Sequence, residues 1–510
     1  VAILDGYPFS HHTLLENRLI IDDPDGFGSS YQASEMRHGT AMASLVCHGE
    51  IDSREKPLTR PVYIRPIMKP DKDDYRQPRR EHIPDDVFAE DIVERAVTRI
   101  FEGEDDHPPV APSIKVINLS VCNPNQMFIN NLSSLARLLD WLSFKYKVLF
   151  CVSAGNVTSN LTLGLSEDEI RSLSDDELIK IILNNFCSNM RNRRIMSPAE
   201  AINVLTIGAI HSDKSSVTYQ SHRLDLLPSS LLPSPITPHG FGFRNSIKPE
   251  IYLPGGRQFY TCLPGDIYHI DESGQAPGHQ VATAPVTLGE TGRVVYTRGT
   301  SNSTALATRG AALIYEAIEP IIIENGIPQD NVAVLLKALL VHGSSWGEGK
   351  QLIENCLKKG GNSRFIRKII SRFMGYGLPD IQRVIECTKQ RVTAIGYGYI
   401  KKDEKHEFIL PLPPSLSGLD VLRRLIITLA WFSPLNCNNR RYRKANLSFE
   451  PPYKAFGVSR IEADAHLVKN GTVQHEILEG KEIVSYQDGD YLIIPVICRE
   501  DASNLDGEVH

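Results

Sequence analysis

Three short segments of this chain carry residue types that together could perform nucleophilic catalysis. Asp5 ends an apolar run, His38 opens a segment rich in small residues, and Ser301 lies within Gly-Thr-Ser-Asn-Ser-Thr-Ala. A serine hydroxyl is a weak nucleophile until an imidazole takes its proton, and a carboxylate can hold that imidazole in the right tautomer. These three residue types could therefore form a catalytic triad. Ser301 would attack, His38 would act as general base and then general acid, and Asp5 would orient His38.

The residues after Ser301 predict that it begins a helix. Small side chains at Ala305, Ala307 and Gly310 would let this helix lie deep against a sheet. At a helix N-terminus, free backbone N–H groups and the helix dipole favour a developing negative charge. An ordinary N-cap serine is the alternative for Ser301 taken alone, but its occurrence together with the other segments favours catalysis.

A carboxylate at the end of an apolar strand is costly to bury unless it is paired, and His38 is the expected partner of Asp5. Asp22, Asp23 and Asp25 are the alternatives for this role, but they lie in a polar stretch. For His38 alone, a core or metal-binding histidine would be the ordinary interpretation.

The segment around Ser301 resembles the Gly-Thr-Ser-x-Ala-x-Pro motif of the subtilisin-like (S8) serine peptidases. His38-Gly39-Thr40 resembles the histidine motif of the same family, and the order Asp, His, Ser is also the family's order. The similarity extends over residues 1–385. It implies a serine endopeptidase that hydrolyses peptide bonds through an acyl-enzyme.

Other motifs carry the same resemblance. Ser153-Ala154-Gly155-Asn156 is similar to the family's Ala-Ala-Gly-Asn, which implies that the Asn156 amide donates to the oxyanion together with the Ser301 N–H. Asn118–Cys122 is similar to the strand that pairs with an extended substrate. The implied substrate-binding residues are Ser120, Val121, Cys122, Ala154 and Gly155.

The chain also departs from the family's motifs. Asp5 is followed by Gly6-Tyr7 where the family has Ser-Gly or Thr-Gly, and Asn302, Ser303 and Ala305 replace Met, Ala and Pro near the nucleophile. These changes predict low basal activity. Two alternatives therefore stay open: a peptidase held inactive until a partner or trigger releases it, and a catalytically silent subtilase that serves as a binding scaffold in a larger complex.

Composition excludes several classes of protein. The net charge of −6 argues against a nucleic-acid carrier, and no apolar run of the length that spans a membrane occurs. The nine cysteines are odd in number and scattered, which favours reduced thiols and a cytoplasmic protein. We expect a protein or peptide substrate, and neither a nucleic-acid nor a membrane partner.

No metal motif is present, and no cofactor is expected. The resemblance implies Ca²⁺ as a candidate ion, because subtilases often bind it. The sequence shows no EF-hand-like spacing, however, and no calcium site can be placed.

Alternating elements predict an α/β fold with a subtilisin-like parallel sheet flanked by helices. The predicted strands are 1–5, 114–119, 147–153 and 204–210. The predicted helices are 38–47, 85–102, 132–146, 301–318 (ending before Pro320) and 332–342. A helical insertion is expected at about 164–194, with capping boxes at Ser166/Glu169 and Ser174/Glu177.

The pattern of predicted secondary structure changes near residue 385. Short β-rich segments then alternate with Pro, Gly and Asn turns, which predicts a C-terminal antiparallel β-sandwich of jelly-roll type. The segments are 391–400, 406–412, 422–432, 445–450, 457–461, 464–468, 473–478 and 491–497. The predicted domains are therefore a peptidase domain, 1–385, and a β-sandwich domain, 386–510.

Longer segments of the sequence resemble a narrower group within this family. LDGYPFSHHTLLENRLIIDDPD, HGTAMASLVCHGE and NGTVQHEILEG are similar to a group of large bacterial S8 peptidases. Some members of that group are encoded beside an AAA-type ATPase in anti-phage defence systems. The resemblance implies an AAA ATPase partner and a role in antiviral defence inside the bacterial cell.

Overall fold

The computed structural model describes residues 1–104, 107–216, 222–357, 363–412 and 414–509. Strands up to residue 385 are β1 (Ala2–Asp5), β2 (Leu19–Ile21), β3 (Val62–Pro66), β4 (Lys69–Pro70), β5 (Glu81–His82), β6 (Val116–Leu119), β7 (Asn123–Met127), β8 (Leu149–Ser153), β9 (Leu161–Thr162), β10 (Met196–Ser197), β11 (Leu205–Ile210), β12 (Ile251–Pro254), β13 (Tyr260–Leu263), β14 (Ile267–Ile270), β15 (His279–Ala282), β16 (Val294–Thr297), β17 (Ser344–Ser345) and β18 (Leu378–Pro379). Later strands are β19 (Lys405–Pro411), β20 (Arg423–Ala430), β21 (Ala445–Phe449), β22 (Ser459–Arg460), β23 (Val473–Gly480) and β24 (Tyr491–Glu500).

The α-helices are α1 (His38–His48), α2 (Ala89–Phe101), α3 (Ser134–Tyr146), α4 (Glu167–Ser172), α5 (Asp175–Ser188), α6 (Thr300–Glu324), α7 (Gln329–His342), α8 (Gly349–Leu357), α9 (Ser363–Met374), α10 (Ile381–Ile385) and α11 (Tyr453–Phe456). None of the helices in the described ranges is long and apolar enough to cross a membrane.

A seven-stranded sheet in the order β12-β11-β8-β6-β1-β3-β2 organises the first part of the chain, and every strand pair in it is parallel. Side chains alternate between its two faces. In β1, Ile3 packs with α1, whereas Ala2 and Leu4 pack with α2 and α3. Helices α6 and α7 cover β8, β11 and β12 on the α1 side. The predicted α/β sheet with helices on both faces is confirmed.

The predicted end of the nucleophile helix is wrong. Helix α6 continues through Pro320 to Glu324 instead of ending before the proline. Proline removes one backbone hydrogen bond from a helix interior. Here Ile322, two residues later, is still buried in the core with α7, and this packing holds the last turn in place.

The insertion contains two helices, α4 and α5, as predicted, and both capping boxes are present. Its apolar side packs onto a layer that the sequence did not predict. Ile182 and Phe186 of α5 share a core with Ile370 and Phe373 of α9 and with Tyr268 of β14.

The C-terminal part forms two three-stranded antiparallel sheets, β19-β24-β21 and β20-β23-β22. Leu447 and Ile494 from one sheet share a core with Ile427 and Leu478 from the other, which is the packing of a sandwich. Two predicted strands are wrong. Residues 391–400 form no strand, and 464–468 lead into a 3₁₀ turn at Leu467–Lys469, where Leu467 and Val468 pack towards α7.

Candidate active site

Strand β1 and helix α1 meet end to end and bring Asp5 to His38. The backbones approach so closely that a Cβ on Gly39 would lie 2.0 Å from the Gly6 carbonyl oxygen, so only glycine fits at position 39. His38 Nδ1–H donates to Asp5 Oδ1 at 2.6 Å, and the Gly6 N–H donates to the same oxygen at 2.7 Å. This tautomer leaves His38 Nε2 as the available nitrogen.

The two partners differ in exposure. The Asp5 side chain is fully buried, whereas 35% of the His38 side chain is exposed, so the imidazole is open to a ligand and its carboxylate partner is not. Burial alone would lower the pKa of His38. The Asp5 carboxylate, its hydrogen bond and the Glu81 carboxylate outweigh burial and raise that pKa to about 9.

The three alternatives to Asp5 are occupied elsewhere. Asp22 forms an ion pair with Arg99, Asp25 forms one with Arg65, and Asp23 accepts backbone N–H groups of its own turn. None of these carboxylates forms a hydrogen bond with His38 in the described structure.

Ser301 lies in the first turn of α6, and α6 packs along α1. Its Oγ donates to the Ser120 carbonyl oxygen at 3.3 Å and forms no hydrogen bond with His38. The Ser120 hydroxyl in turn lies 3.3 Å from the Ser301 carbonyl oxygen. The nucleophile is therefore held against the end of β6.

The unusual residues beside Ser301 have hydrogen-bond partners of their own. Asn302 Nδ2 donates to Thr297 Oγ1 at 3.0 Å, and Ser303 Oγ donates to the backbone carbonyl oxygens of Leu253 and Pro254, each 3.0 Å away. Both side chains are buried among these partners. They fix the start of α6 to β12 and β16 without hydrogen bonding to Ser301.

Asn156 is held with its amide directed at the start of α6. Its Oδ1 accepts the Thr300 N–H at 3.0 Å and the Thr300 hydroxyl at 3.1 Å. This leaves Nδ2 as the donor towards the cleft. The Ser301 N–H is one of the first four N–H groups of α6, which have no partner within the helix. That these two N–H groups stabilise one oxyanion stays a prediction.

The substrate-binding candidates fall into two sets. Ser120, Val121 and Cys122 form the segment between β6 and β7, beside Ser301, and the last two are half-buried. Ala154 is fully buried, and both of its backbone groups are paired, its N–H with Ile207 and its carbonyl with Met196. The Gly155 carbonyl accepts the Thr300 hydroxyl at 2.9 Å. The backbone of residues 120–122 could therefore pair with a peptide, whereas the backbone groups of Ala154 are already paired within the protein.

Burial raises the pKa of the Cys122 thiol to about 11, so this thiol stays protonated at neutral pH and does not compete with Ser301 as a nucleophile. In the described ranges, no group of three or more His, Cys, Asp or Glu residues is arranged to hold a metal ion.

Sequence reasoning missed Glu81. Its Oε2 accepts the His38 backbone N–H at 2.8 Å, and its Oε1 accepts the Tyr31 hydroxyl at 3.1 Å. Gly6 marks a departure from the family beside Asp5, but no sequence signal points from it to position 81.

Comparison with known proteins gives a family and several distant structural similarities. The subtilase family profile matches residues 88–377, which include Asn156 and Ser301 but not Asp5 or His38. The search of curated proteins gives no match.

Three proteases illustrate the structural similarities. The prenylagaramide maturation protease PagA is 16% identical, with 75% of this chain and 91% of PagA covered and a TM-score of 0.41. The epidermin leader peptide processing serine protease EpiP from Staphylococcus aureus is 15% identical, with coverage of 77% and 76% and a TM-score of 0.40. The patellamide maturation protease PatA is 15% identical, with coverage of 75% and 94% and a TM-score of 0.37. The assignment rests on the profile match: the chain belongs to the subtilase family and is a serine peptidase.

Proposed function

We propose that this protein is an endopeptidase that cleaves peptide bonds through Ser301, His38, Asp5 and Asn156. The observation that carries the proposal is the 2.6 Å hydrogen bond from His38 Nδ1 to the buried Asp5 carboxylate, which leaves Nε2 available as a base. Helix α1, which begins at His38, packs along α6, which carries Ser301. A paired, oriented imidazole beside a serine at a helix N-terminus is the arrangement that acyl transfer needs.

Acylation begins when Ser301 Oγ bonds to the scissile carbonyl carbon while its proton passes to His38 Nε2. The carbonyl π pair moves onto oxygen, where Asn156 Nδ2–H and the Ser301 N–H stabilise the oxyanion. Asp5 stabilises the imidazolium that forms. As the oxyanion collapses, the C–N bond breaks and His38 gives its proton to the leaving amine.

Deacylation repeats these roles with water as the nucleophile. His38 Nε2 takes a proton from water as its oxygen bonds to the acyl carbon, and the same two donors stabilise the second oxyanion. Collapse breaks the bond from carbon to Ser301 Oγ, and His38 returns its proton to that oxygen. The products are a free carboxylate and a regenerated Ser301 hydroxyl.

The resting enzyme is latent in this proposal. Two features support latency: Ser301 Oγ is hydrogen-bonded to the Ser120 carbonyl oxygen, and the Asp5 and Glu81 carboxylates raise the pKa of His38 to about 9, which favours the protonated imidazole at neutral pH. Release requires Ser301 to leave the Ser120 carbonyl and His38 to lose its proton. The candidate trigger is an AAA-type ATPase of the kind encoded beside the similar bacterial peptidases, in cytoplasmic defence against phage.

The test is digestion of a mixed peptide library by the purified protein and by S301A, with new termini read by mass spectrometry. We expect internal cleavages that require Ser301 and that increase when the candidate ATPase is added. Absence of cleavage in every condition would contradict the endopeptidase proposal and favour the silent scaffold.

A further inference from the structure

A second carboxylate lies against the acid–base pair. Glu81, in the short strand β5, accepts the His38 backbone N–H at 2.8 Å, and the buried Tyr31 hydroxyl holds its other oxygen at 3.1 Å. This oxygen therefore has a fixed position beside the His38–Asp5 pair. No step of the proposed mechanism uses Glu81.

Gly6 makes room for this carboxylate. A Cβ added to Gly6 would lie 2.0 Å from Glu81 Oε1 and 3.0 Å from the Tyr31 hydroxyl oxygen. No side chain at position 6 fits while Glu81 stays where it is. The departure from the family's Asp-Ser or Asp-Thr pair is thus explained by the space that Glu81 occupies.

Helix α1 depends on Glu81 at its first residue. The preceding residue, Arg37, provides no side-chain cap. The Glu81 carboxylate supplies the missing acceptor, and a negative charge at a helix N-terminus is favourable. Glu81 therefore fixes the backbone from which the His38 imidazole projects.

We infer that Glu81 is a positioning residue of the acid–base pair, which caps α1 at His38 and favours the protonated imidazole. It thereby sets the pH at which His38 can accept the Ser301 proton. The inference rests on the proposed function, because it assigns regulation to the same site.

The charges around Glu81 support this role. The charged or titratable groups that face it are His38 at the start of α1, Arg37 just before it, Asp5 from β1 and Tyr31 from the loop that precedes α1. Burial raises the pKa of Glu81 to about 7, against the opposing effect of His38. Above about pH 7, where Glu81 is charged, two carboxylates act on one imidazole, and removing the charge of Glu81 weakens the imidazolium's stabilisation without touching Asp5.

The test is an NMR titration of His38, assigned by comparison with H38A, in the wild type, E81Q and D85N. Asp85 is four residues from Glu81, and its side chain is 96% exposed, so D85N removes a nearby charge without touching His38. We expect E81Q to lower the pKa of His38 by about one unit or more, the usual effect of losing an opposite charge at this range, and D85N to leave it unchanged. An unchanged pKa in E81Q would overturn the inference.

A second set of variants tests the space that Gly6 provides. G6A should displace Glu81 and lower the pKa of His38 as E81Q does, whereas adding G6A to E81A should produce no further shift. Equal shifts in both backgrounds would overturn the inference. Neither titration requires peptidase activity. A negative result would therefore contradict only the role of Glu81. The proposed function is tested separately, by peptide cleavage that requires Ser301.

Discussion

The two halves of the site are built from different kinds of group. In the nucleophile half, Ser301 and Asn156 lie within the residues that match the subtilase profile, and neutral hydrogen bonds from Thr300 fix the amide. In the acid–base half, Asp5 and His38 lie outside the matched residues and share their surroundings with Glu81. The acid–base half therefore titrates, whereas neutral groups fix the nucleophile half.

The two halves of the site have distinct tasks. The nucleophile half stabilises the oxyanion with N–H groups whose positions do not depend on pH. The acid–base half decides whether a proton can move at a given pH. Changes in the first half should therefore lower the rate at every pH, whereas changes in the second should also move the pH profile.

The largest effect should come from D5N. The amide would leave the imidazole without its carboxylate and disturb the tautomer, so we expect kcat to fall by about 10⁴-fold. The measurement is steady-state kinetics on a peptide found by the library digestion. D22N is the matched control, since Asp22 pairs with Arg99 and not with His38; an equal loss in D22N would contradict the assignment of Asp5.

Removing the oxyanion donor should come next. N156A should lower kcat by about 10²–10³-fold with little change in KM, because the donor acts mainly on the transition state. Its pH profile should match that of the wild type. N160A, an exposed amide four residues away, is the control, and a loss confined to KM in N156A would contradict the oxyanion role.

The pH profile of kcat/KM should rise towards alkaline pH, with an apparent pKa near 9. His38 must be neutral to act as base, so at pH 7 the rate should be about a hundredfold below its plateau. Because the pKa of His38 is raised by folding, the pairing stabilises the fold most at pH values below the unfolded pKa. That contribution is lost as the pH rises through about 9. A rate that already reaches its plateau at pH 7 would contradict the claim that titration of His38 controls activity.

The smallest effect should come from T300V. This change removes the hydroxyl hydrogen bond that Asn156 Oδ1 and the Gly155 carbonyl share, but keeps the Thr300 N–H that orients the amide. We expect about a fivefold loss in kcat, the scale of one net hydrogen bond. A loss as large as that of N156A would mean that the hydroxyl, and not the backbone, fixes the amide.

The sheet could be predicted because its strands are short, apolar and separated by helices with clear periodicity. His38, Ser301 and Asn156 could be predicted from motifs, and Asp5 from the order of the three segments and its place at the end of an apolar strand. The structure brings Asp5 to His38, and the roles of all four residues stay predictions. The end of α6 could not be predicted, because burial of Ile322 outweighs the local effect of Pro320.

Glu81 could not be predicted because its partners come from distant parts of the chain. It follows a Pro-rich stretch, and only the fold brings it against Gly6, Tyr31 and His38. The absence of a hydrogen bond between Ser301 and His38 has the same cause, since it depends on how the end of β6 meets the start of α6. Local patterns predict elements, whereas such contacts arise from tertiary packing.

The most direct test of the central claim is labelling with a fluorophosphonate probe, followed by mass spectrometry of the modified peptide, in the wild type and S301A. The account predicts one phosphonylated residue, Ser301, with labelling that rises with pH through about 9 and is lost in S301A. Labelling at another residue, or none at any pH even with the candidate ATPase present, would contradict the claim that these four residues form one catalytic site.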